Sequence, residues 1–224
     1  MNILCVSASN TLAMGENSAS TKVCKIIKDY LNKQHQDEVS IEIIQLVDAT
    51  LIPCILCGAC AKTGKCPYDE AFNSIYAKII AADGIYLVVP HYSTIPAKLT
   101  MIFEKINETL YAGWINEPLF QAPIKNKPIG IIGHGGMTEN DKVLKYYHDY
   151  LITPIANTLR SLSFKVVGAN NEFANGIPFC LLSDDCIKKT EDSIFPSIIH
   201  DWDYIGARIQ QLIENVFIAS ANQE

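Results

Sequence analysis

The sequence predicts an α/β protein with a doubly wound, five-stranded parallel sheet and helices on both faces. Two observations carry that prediction. Short apolar runs alternate along the whole chain with longer stretches of helical periodicity, the pattern of strands joined by crossover helices. Nearly half of the 224 residues are hydrophobic, enough for one well-buried core. No internal repeat, low-complexity tract or linker interrupts the alternation, so residues 1–224 read as a single domain.

Residues 2–7 are an apolar run ending in small polar residues, which predicts a buried first strand. A helix is expected from Ser18 or Ser20 to about Lys33. Val23, Ile26, Ile27, Tyr30 and Leu31 recur at helical spacing, and a serine stands ready as N-cap. Residues 40–46 alternate only partly, as a strand at a sheet edge does. Phe72, Ile75, Tyr76 and Ile79 mark a helix over 69–82, and residues 84–89 read as a central strand closed by Pro90. A helix over 96–110 follows, with Pro96 acceptable in its first turn. The fourth strand is expected at 128–132, a long helix at about 140–162, the fifth strand at 164–168 and a last helix at about 198–218. Residues 111–127 and 169–195 lack clear periodicity and read as long loops, which in compact domains are commonly lids or oligomer contacts.

The formal net charge of -6 argues against broad nucleic-acid binding, which needs a basic face. Apolar runs such as Ile79–Pro90 are broken by Asp83 and Gly84 and fall short of the roughly 20 residues that span a bilayer, so no membrane partner is expected. Met1–Val6 has no cationic lead and soon turns polar, a buried strand rather than a signal peptide. The expected location is cytoplasmic, where eight cysteines are poor candidates for structural disulfides.

In an open parallel sheet, ligands bind at the carboxyl ends of the strands where strand order reverses. After the first strand come Ser7-Ala8-Ser9-Asn10-Thr11 and then Asn17-Ser18-Ala19-Ser20 leading into a helix. Small hydroxyl and amide residues at a helix N-terminus suit a phosphate, although such residues also serve as ordinary caps. The loop is neither a Walker A segment nor a Gly-x-Gly-x-x-Gly turn. After the third strand come Pro90, His91, Tyr92, Ser93 and Thr94, where a flat ring could receive a planar heterocycle. After the fourth come Gly133, His134, Gly135 and Gly136, which allow close backbone approach or simply a tight turn. A phosphate end and a flat-ring end together suit a mononucleotide flavin.

These residues resemble the NADPH-dependent FMN reductase and iron–sulfur flavoprotein superfamily, of flavodoxin-like fold. The likeness is good over Met1 to Gly136 and weak beyond. Ser9 with Asn17-Ser18 matches the signature after the first strand, while Asn10-Thr11 replaces the family's usual Pro-Arg. Pro90-His91-Tyr92 running through Leu99 to Glu104-Lys105 is similar to the family's Pro-x-Tyr segment and the acid–base pair on its helix, with Thr100 in place of a lysine. The resemblance implies that Ser9, Asn17, Ser18 and Ser20 hold the FMN phosphate, and that Pro90–Thr94 and Gly133–Gly136 border the ribityl chain and the isoalloxazine ring. It implies further that NAD(P)H is the electron donor, that an unidentified acceptor is reduced, and that the protein is a homodimer or homotetramer. Tyr111, Trp114, Leu119 and Phe120 are then interface candidates, or else line an ordinary hydrophobic lid.

Cys54, Cys57, Cys60 and Cys66 follow a Cys-x2-Cys-x2-Cys-x5-Cys spacing, with Pro67 after the last. Thiolates converging from one coiled loop select iron–sulfur clusters or zinc. The compact triplet favours [4Fe–4S] over the separated knuckles of zinc sites, while metal-free thiols or a redox disulfide stay open. The same run resembles the cluster motif of the iron–sulfur flavoproteins. Cys5 and Cys24 read as small buried hydrophobes, and Cys180 and Cys186 as loop cysteines that could pair. Three functional readings follow: an FMN-dependent oxidoreductase, a non-catalytic flavin electron carrier, and a thiol-based metal-binding or redox-sensing protein.

Overall fold

The computed structural model describes residues 1–12, 17–36, 38–117, 119–182, 187–188, 197–198 and 201–222. Strand β1 (Asn2–Ser7) leads to α1 (Ala19–Gln34) and β2 (Ser40–Gln45). The short α2 (Cys60–Thr63) sits inside the cysteine segment, followed by α3 (Glu70–Ala81), β3 (Gly84–Pro90) and α4 (Ala97–Asn116). Next come β4 (Pro128–Thr138) and a long interrupted helix: α5 (Asp141–Tyr147), a π-helical turn (His148–Ile152) and α6 (Thr153–Ser161). The π turn has a local cause. Pro154 has no N–H to donate, and the ladder widens just before it, with Thr153 N donating to His148 O.

Strand β5 (Lys165–Val167) and β6 (Ile177–Leu182) complete the main sheet; β7 (Ile187–Lys188) and β8 (Ser197–Ile198) form a separate antiparallel ladder, and α7 (Trp202–Ala221) closes the chain. The order of the main sheet is β2-β1-β3-β4-β5, with parallel pairing throughout, and β2 is at the edge as its weak alternation predicts. That order is the flavodoxin-like one, and it puts the reversal of strand order between β1 and β3.

Period-two alternation sorts the strand side chains to two faces, both buried. Leu4, Val6, Ile85, Leu87, Ile129 and Ile131 pack against α3, α4 and the π turn with α6. Ile3, Cys5, Tyr86, Val88, Ile132 and Phe179 pack against α1 and α7. Cys5 and Cys24 are buried small hydrophobes, as expected.

Three sequence expectations are corrected here. The segment 169–195 is not one long loop: β6 pairs with β4 beyond the end of β5, from Ile132↔Ile177 to Thr138↔Leu182, so the sheet has an additional strand. Residues 111–116 continue α4 rather than opening a loop; the helix ends only where Glu117 N caps back onto Gly113 O. Cys180 lies buried in β6 and not in a loop, and Cys186 is outside the described residues. Among the described residues, no helix is long and apolar enough to cross a membrane.

Candidate functional site

The carboxyl ends of β1, β3 and β4 meet at the switch point. Ser18 is the N-cap of α1: its hydroxyl accepts from Thr21 N at 3.3 Å and donates to Thr21 Oγ1 at 2.9 Å. Thr21 Oγ1 also pairs with Ser7 Oγ at 2.9 Å and donates to Gln45 Oε1 at 3.0 Å. This buried hydroxyl chain fixes the start of α1 relative to β1 and β2. Asn17, just ahead of it, is exposed.

Above that chain, the loop after β1 gathers polar groups about one point. Asn10 N donates to the Tyr92 hydroxyl at 3.2 Å, Thr11 Oγ1 lies 3.0 Å from it and Ser9 Oγ 3.4 Å. The Tyr92 ring, 40% exposed, therefore bridges from the β3 end to the β1 loop. Ser93 and Thr94 beside it are exposed, and Thr94 has φ 73°, a left-handed backbone unusual for a β-branched residue. Thr11 escaped the sequence reading as a contact because only the fold brings it under Tyr92.

The glycine cluster differs most from expectation. Gly133, His134, Gly135 and Gly136 are residues of β4, not of a loop after it, and Gly133 to Gly135 are buried. A Cβ at Gly133 would stand 2.8 Å from Ile152 Cγ1, and one at Gly135 would run into the Tyr147 ring. Those two glycines let the π turn and the end of α5 lie directly on the strand. Gly136 alone of the three opens to free space and is exposed. His134 stacks on Phe179, with ring centroids 5.1 Å apart, and its Nε2 is 2.7 Å from Ser20 Oγ. Ser20 and His134 are thus brought together below the strand ends, both buried and facing each other.

His91 N donates to His134 O at 2.6 Å, and the backbone of Pro90 runs beside His134 in register. His91 Nε2 is 3.3 Å from the Tyr146 hydroxyl. Burial holds the imidazole below its ordinary pKa, against the upward pull of its backbone hydrogen bond. Tyr146 and Tyr150, 5.1 Å apart, extend an exposed aromatic row from His91 along α5 and the π turn. Their approach to His91 depends on how α5 crosses the strand ends, which local pattern does not reveal.

The cysteine segment forms a second feature. Cys54, Cys57, Cys60 and Cys66 line one small, partly open pocket together with Lys105 and Glu108. Gly58 and Gly64 take φ of 67° and 66°, and Gly64 ends α2 in the left-handed conformation that terminates short helices. As the loop stands, no three Cys, His, Asp or Glu side chains among the described residues are grouped closely enough to hold a metal ion. Cys57 is exposed, and the other three are half-buried. Burial pushes the Cys60 thiol up, its backbone hydrogen bond opposes this, and Cys54, Cys57 and Glu108 add to the rise.

Beneath the pocket lies a buried ion pair that sequence reasoning missed. Lys105 Nζ, 3% exposed at the side chain, donates to Asp69 Oδ2, which also accepts from Ile52 N at 3.0 Å. Asp69 Oδ1 caps α3 through Phe72 N at 2.8 Å. Burial alone would raise the Asp69 carboxyl, but Lys105 and the two amides hold it below the ordinary carboxylate range. Glu104 and Lys105, which resemble a family acid–base pair, thus face different ways. Lys105 enters the core, and exposed Glu104 accepts from Cys54 N at 3.2 Å.

Comparison with known proteins identifies the fold and the family. The chain is 33% identical over 81 residues to an iron-sulfur flavoprotein of Methanocaldococcus jannaschii, covering 36% of this chain and 42% of that protein. It is 27% identical over 130 residues to an iron-sulfur flavoprotein of Methanosarcina thermophila, covering 57% and 64%. The matched segments therefore span less than two thirds of either relative. A flavone reductase structure superimposes with a TM-score of 0.57 at 16% identity over 99% of this chain and 64% of that one, a likeness of fold. The NADPH-dependent FMN reductase family matches residues 1–168, and on that match the chain belongs to this family.

Proposed function

We propose that the chain is an FMN-dependent oxidoreductase that accepts reducing equivalents from NAD(P)H and passes them to an acceptor. The observation that carries this reading is the convergence of Ser9, Asn10 N–H and Thr11 at the β1/β3 switch point, in a member of a family named for FMN reduction. Hydroxyls and a backbone N–H in the loop after β1 suit a phosphate, as does the Ser18-capped terminus of α1 that the same loop leads to, with Asn17 just ahead of it. Ser20 and His134 would brace α1 against β4 under that site rather than touch the phosphate from the loop mouth. Pro90–Thr94 and the exposed Gly136 would border the ribityl chain and the ring.

FMN held by these residues would supply the redox chemistry between a nicotinamide donor and the acceptor. The residues orient it. Neutral His91, held near Tyr146, borders the face where a flat substrate would lie. The four cysteines have the donor chemistry for a [4Fe–4S] cluster, and both relatives are named iron-sulfur flavoproteins. Binding there would draw the four thiols together, the exposed Cys57 among them. Of the four interface candidates, Tyr111, Trp114 and Leu119 are exposed at the end of α4 and just after it and would form the surface for a homodimer or homotetramer, while half-buried Phe120 packs edge-on against Trp114.

Stopped-flow mixing of the FMN-loaded protein with NADH and with NADPH tests the reading. Bleaching of the visible flavin band by either is expected. A flavin that binds but is reduced by neither would leave a carrier and not an enzyme.

A further inference from the structure

The cysteine segment has almost no regular structure, yet both of its ends are held by side chains from the two helices that flank it. At the far end, Asn73 of α3 grips the main chain of Cys66 twice: its Oδ1 accepts from Cys66 N at 2.9 Å and its Nδ2 donates to Cys66 O at 2.8 Å. At the near end, Glu104 of α4 accepts from Cys54 N. Two residues earlier, Asp69 accepts from Ile52 N, and the carboxylate is itself fixed by buried Lys105. Between the clamped ends, Leu56 has φ 51° and Cys57 is exposed. The loop is therefore fixed where its first and last cysteines stand and again at Ala61, whose O accepts from Asn116 Nδ2 of α4, and is open around Leu56 and Cys57.

We infer that Asn73 and Glu104 are positioning residues for the four-cysteine pocket. They fix Cys66 and Cys54 by their main chain before anything binds, so that closure is left to the side chains of these two and to the segment between them. The inference rests on the cluster reading for what the pocket receives, but the clamps act in the metal-free protein as well. Neither residue is in the core, since Glu104 is exposed and Asn73 half-buried, so both can be changed without removing buried apolar surface. Preorganised ends lower the conformational entropy that loop closure on a metal must overcome.

The test uses the full chain, first metal-free and then reconstituted anaerobically with ferrous iron and sulfide. Hydrogen exchange of the metal-free protein should show slowed exchange at the amides of Ile52, Cys54 and Cys66. Asn73→Ala should speed exchange at Cys66, and Glu104→Ala at Cys54, each on the order of tenfold, the scale of one or two lost hydrogen bonds. Both should retain less iron and show a weaker thiolate-to-iron absorption, with FMN content and melting temperature unchanged. Glu104→Gln keeps an acceptor for Cys54 N and should restore both readouts, which a merely structural charge effect would not do. Open-chain exchange in the parent protein, or variants that exchange and load iron as the parent does, would overturn the inference. So would loss of FMN and melting temperature together with iron, because the two residues would then be supporting the fold at large. If the parent takes up no iron while the amides respond as stated, the clamps stand and the cluster reading falls.

Discussion

Replacing Lys105 with methionine tests the buried pair under the cysteine pocket. Methionine keeps most of the chain length and its packing over Phe72, whose ring centroid lies 5.6 Å from Lys105 Nζ, but removes the charge. Asp69 is then left as a buried carboxylate without its cation. Breaking a buried pair from one side costs about 3–5 kcal/mol. Asp69 keeps two amide donors, Ile52 N and Phe72 N, so the lower end, about 3 kcal/mol, is expected. For a domain of this size that is a fall in melting temperature of roughly 6–12 °C.

The effect depends on pH with a definite sign. In the parent, the Asp69 carboxyl is held low, so its contribution is present above its unfolded pKa of about 3.9 and lost as pH falls through the lower folded value. In Lys105→Met, burial dominates and the carboxyl takes up a proton more readily in the folded state than in the unfolded one. The gap between the two proteins should therefore narrow as pH falls from 7 toward 4. Urea unfolding followed by circular dichroism measures it, with Asp69→Asn/Lys105→Met as the partner variant. The double variant leaves no buried charge and should recover most of the loss. A single variant within about 1 kcal/mol of the parent at neutral pH, or a double variant no better than the single, would refute the reasoning.

Other expectations follow from the same geometry. Ser9→Ala should weaken FMN binding on the order of tenfold in a fluorescence-quenching titration, because it removes one of the converging hydroxyls; unchanged affinity would place the phosphate elsewhere. Gly135→Ala should destabilise the fold by about 1–3 kcal/mol through collision with the Tyr147 ring, whereas Gly136→Ala should stay within about 0.5 kcal/mol in the same urea assay. The His91 ring should titrate by NMR below its ordinary value near 6.5, and a midpoint at or above that value would contradict its burial. Folded protein with a depressed histidine binds fewer protons than the unfolded chain, so this residue lowers stability as pH falls toward 6 and below.

What the sequence reveals and what it conceals follow a physical division. Strands β1 and β3 are legible because continuous apolar runs have few alternatives to a doubly covered parallel strand. Helix α1 is legible from its stripe and its cap: Ser18 bonds Thr21 as a serine before an apolar-periodic run should. β6 is hidden because Ile177–Leu182 is short, contains Pro178 and follows the irregular stretch after β5; only the free upper half of β4 gives it a partner. The glycine run shows why composition misleads about place. Three glycines in four positions look like a turn, but Gly133 and Gly135 are small because a helix lies on their strand. Asp69, Lys105 and Asn73 are hidden for another reason. Asp69 can be read as a helix cap, but its pairing across 36 residues with Lys105 is a product of tertiary structure.

The most direct test of the flavin site compares FMN with riboflavin on flavin-free protein by calorimetric titration. The two ligands differ only in the phosphate that, on the proposed function, Ser9, Asn10 N–H, Thr11 and the start of α1 would receive. FMN should bind one per chain and far more tightly than riboflavin, with Ser9→Ala eroding the difference. Equal affinities, or no binding of FMN at all, would contradict the account.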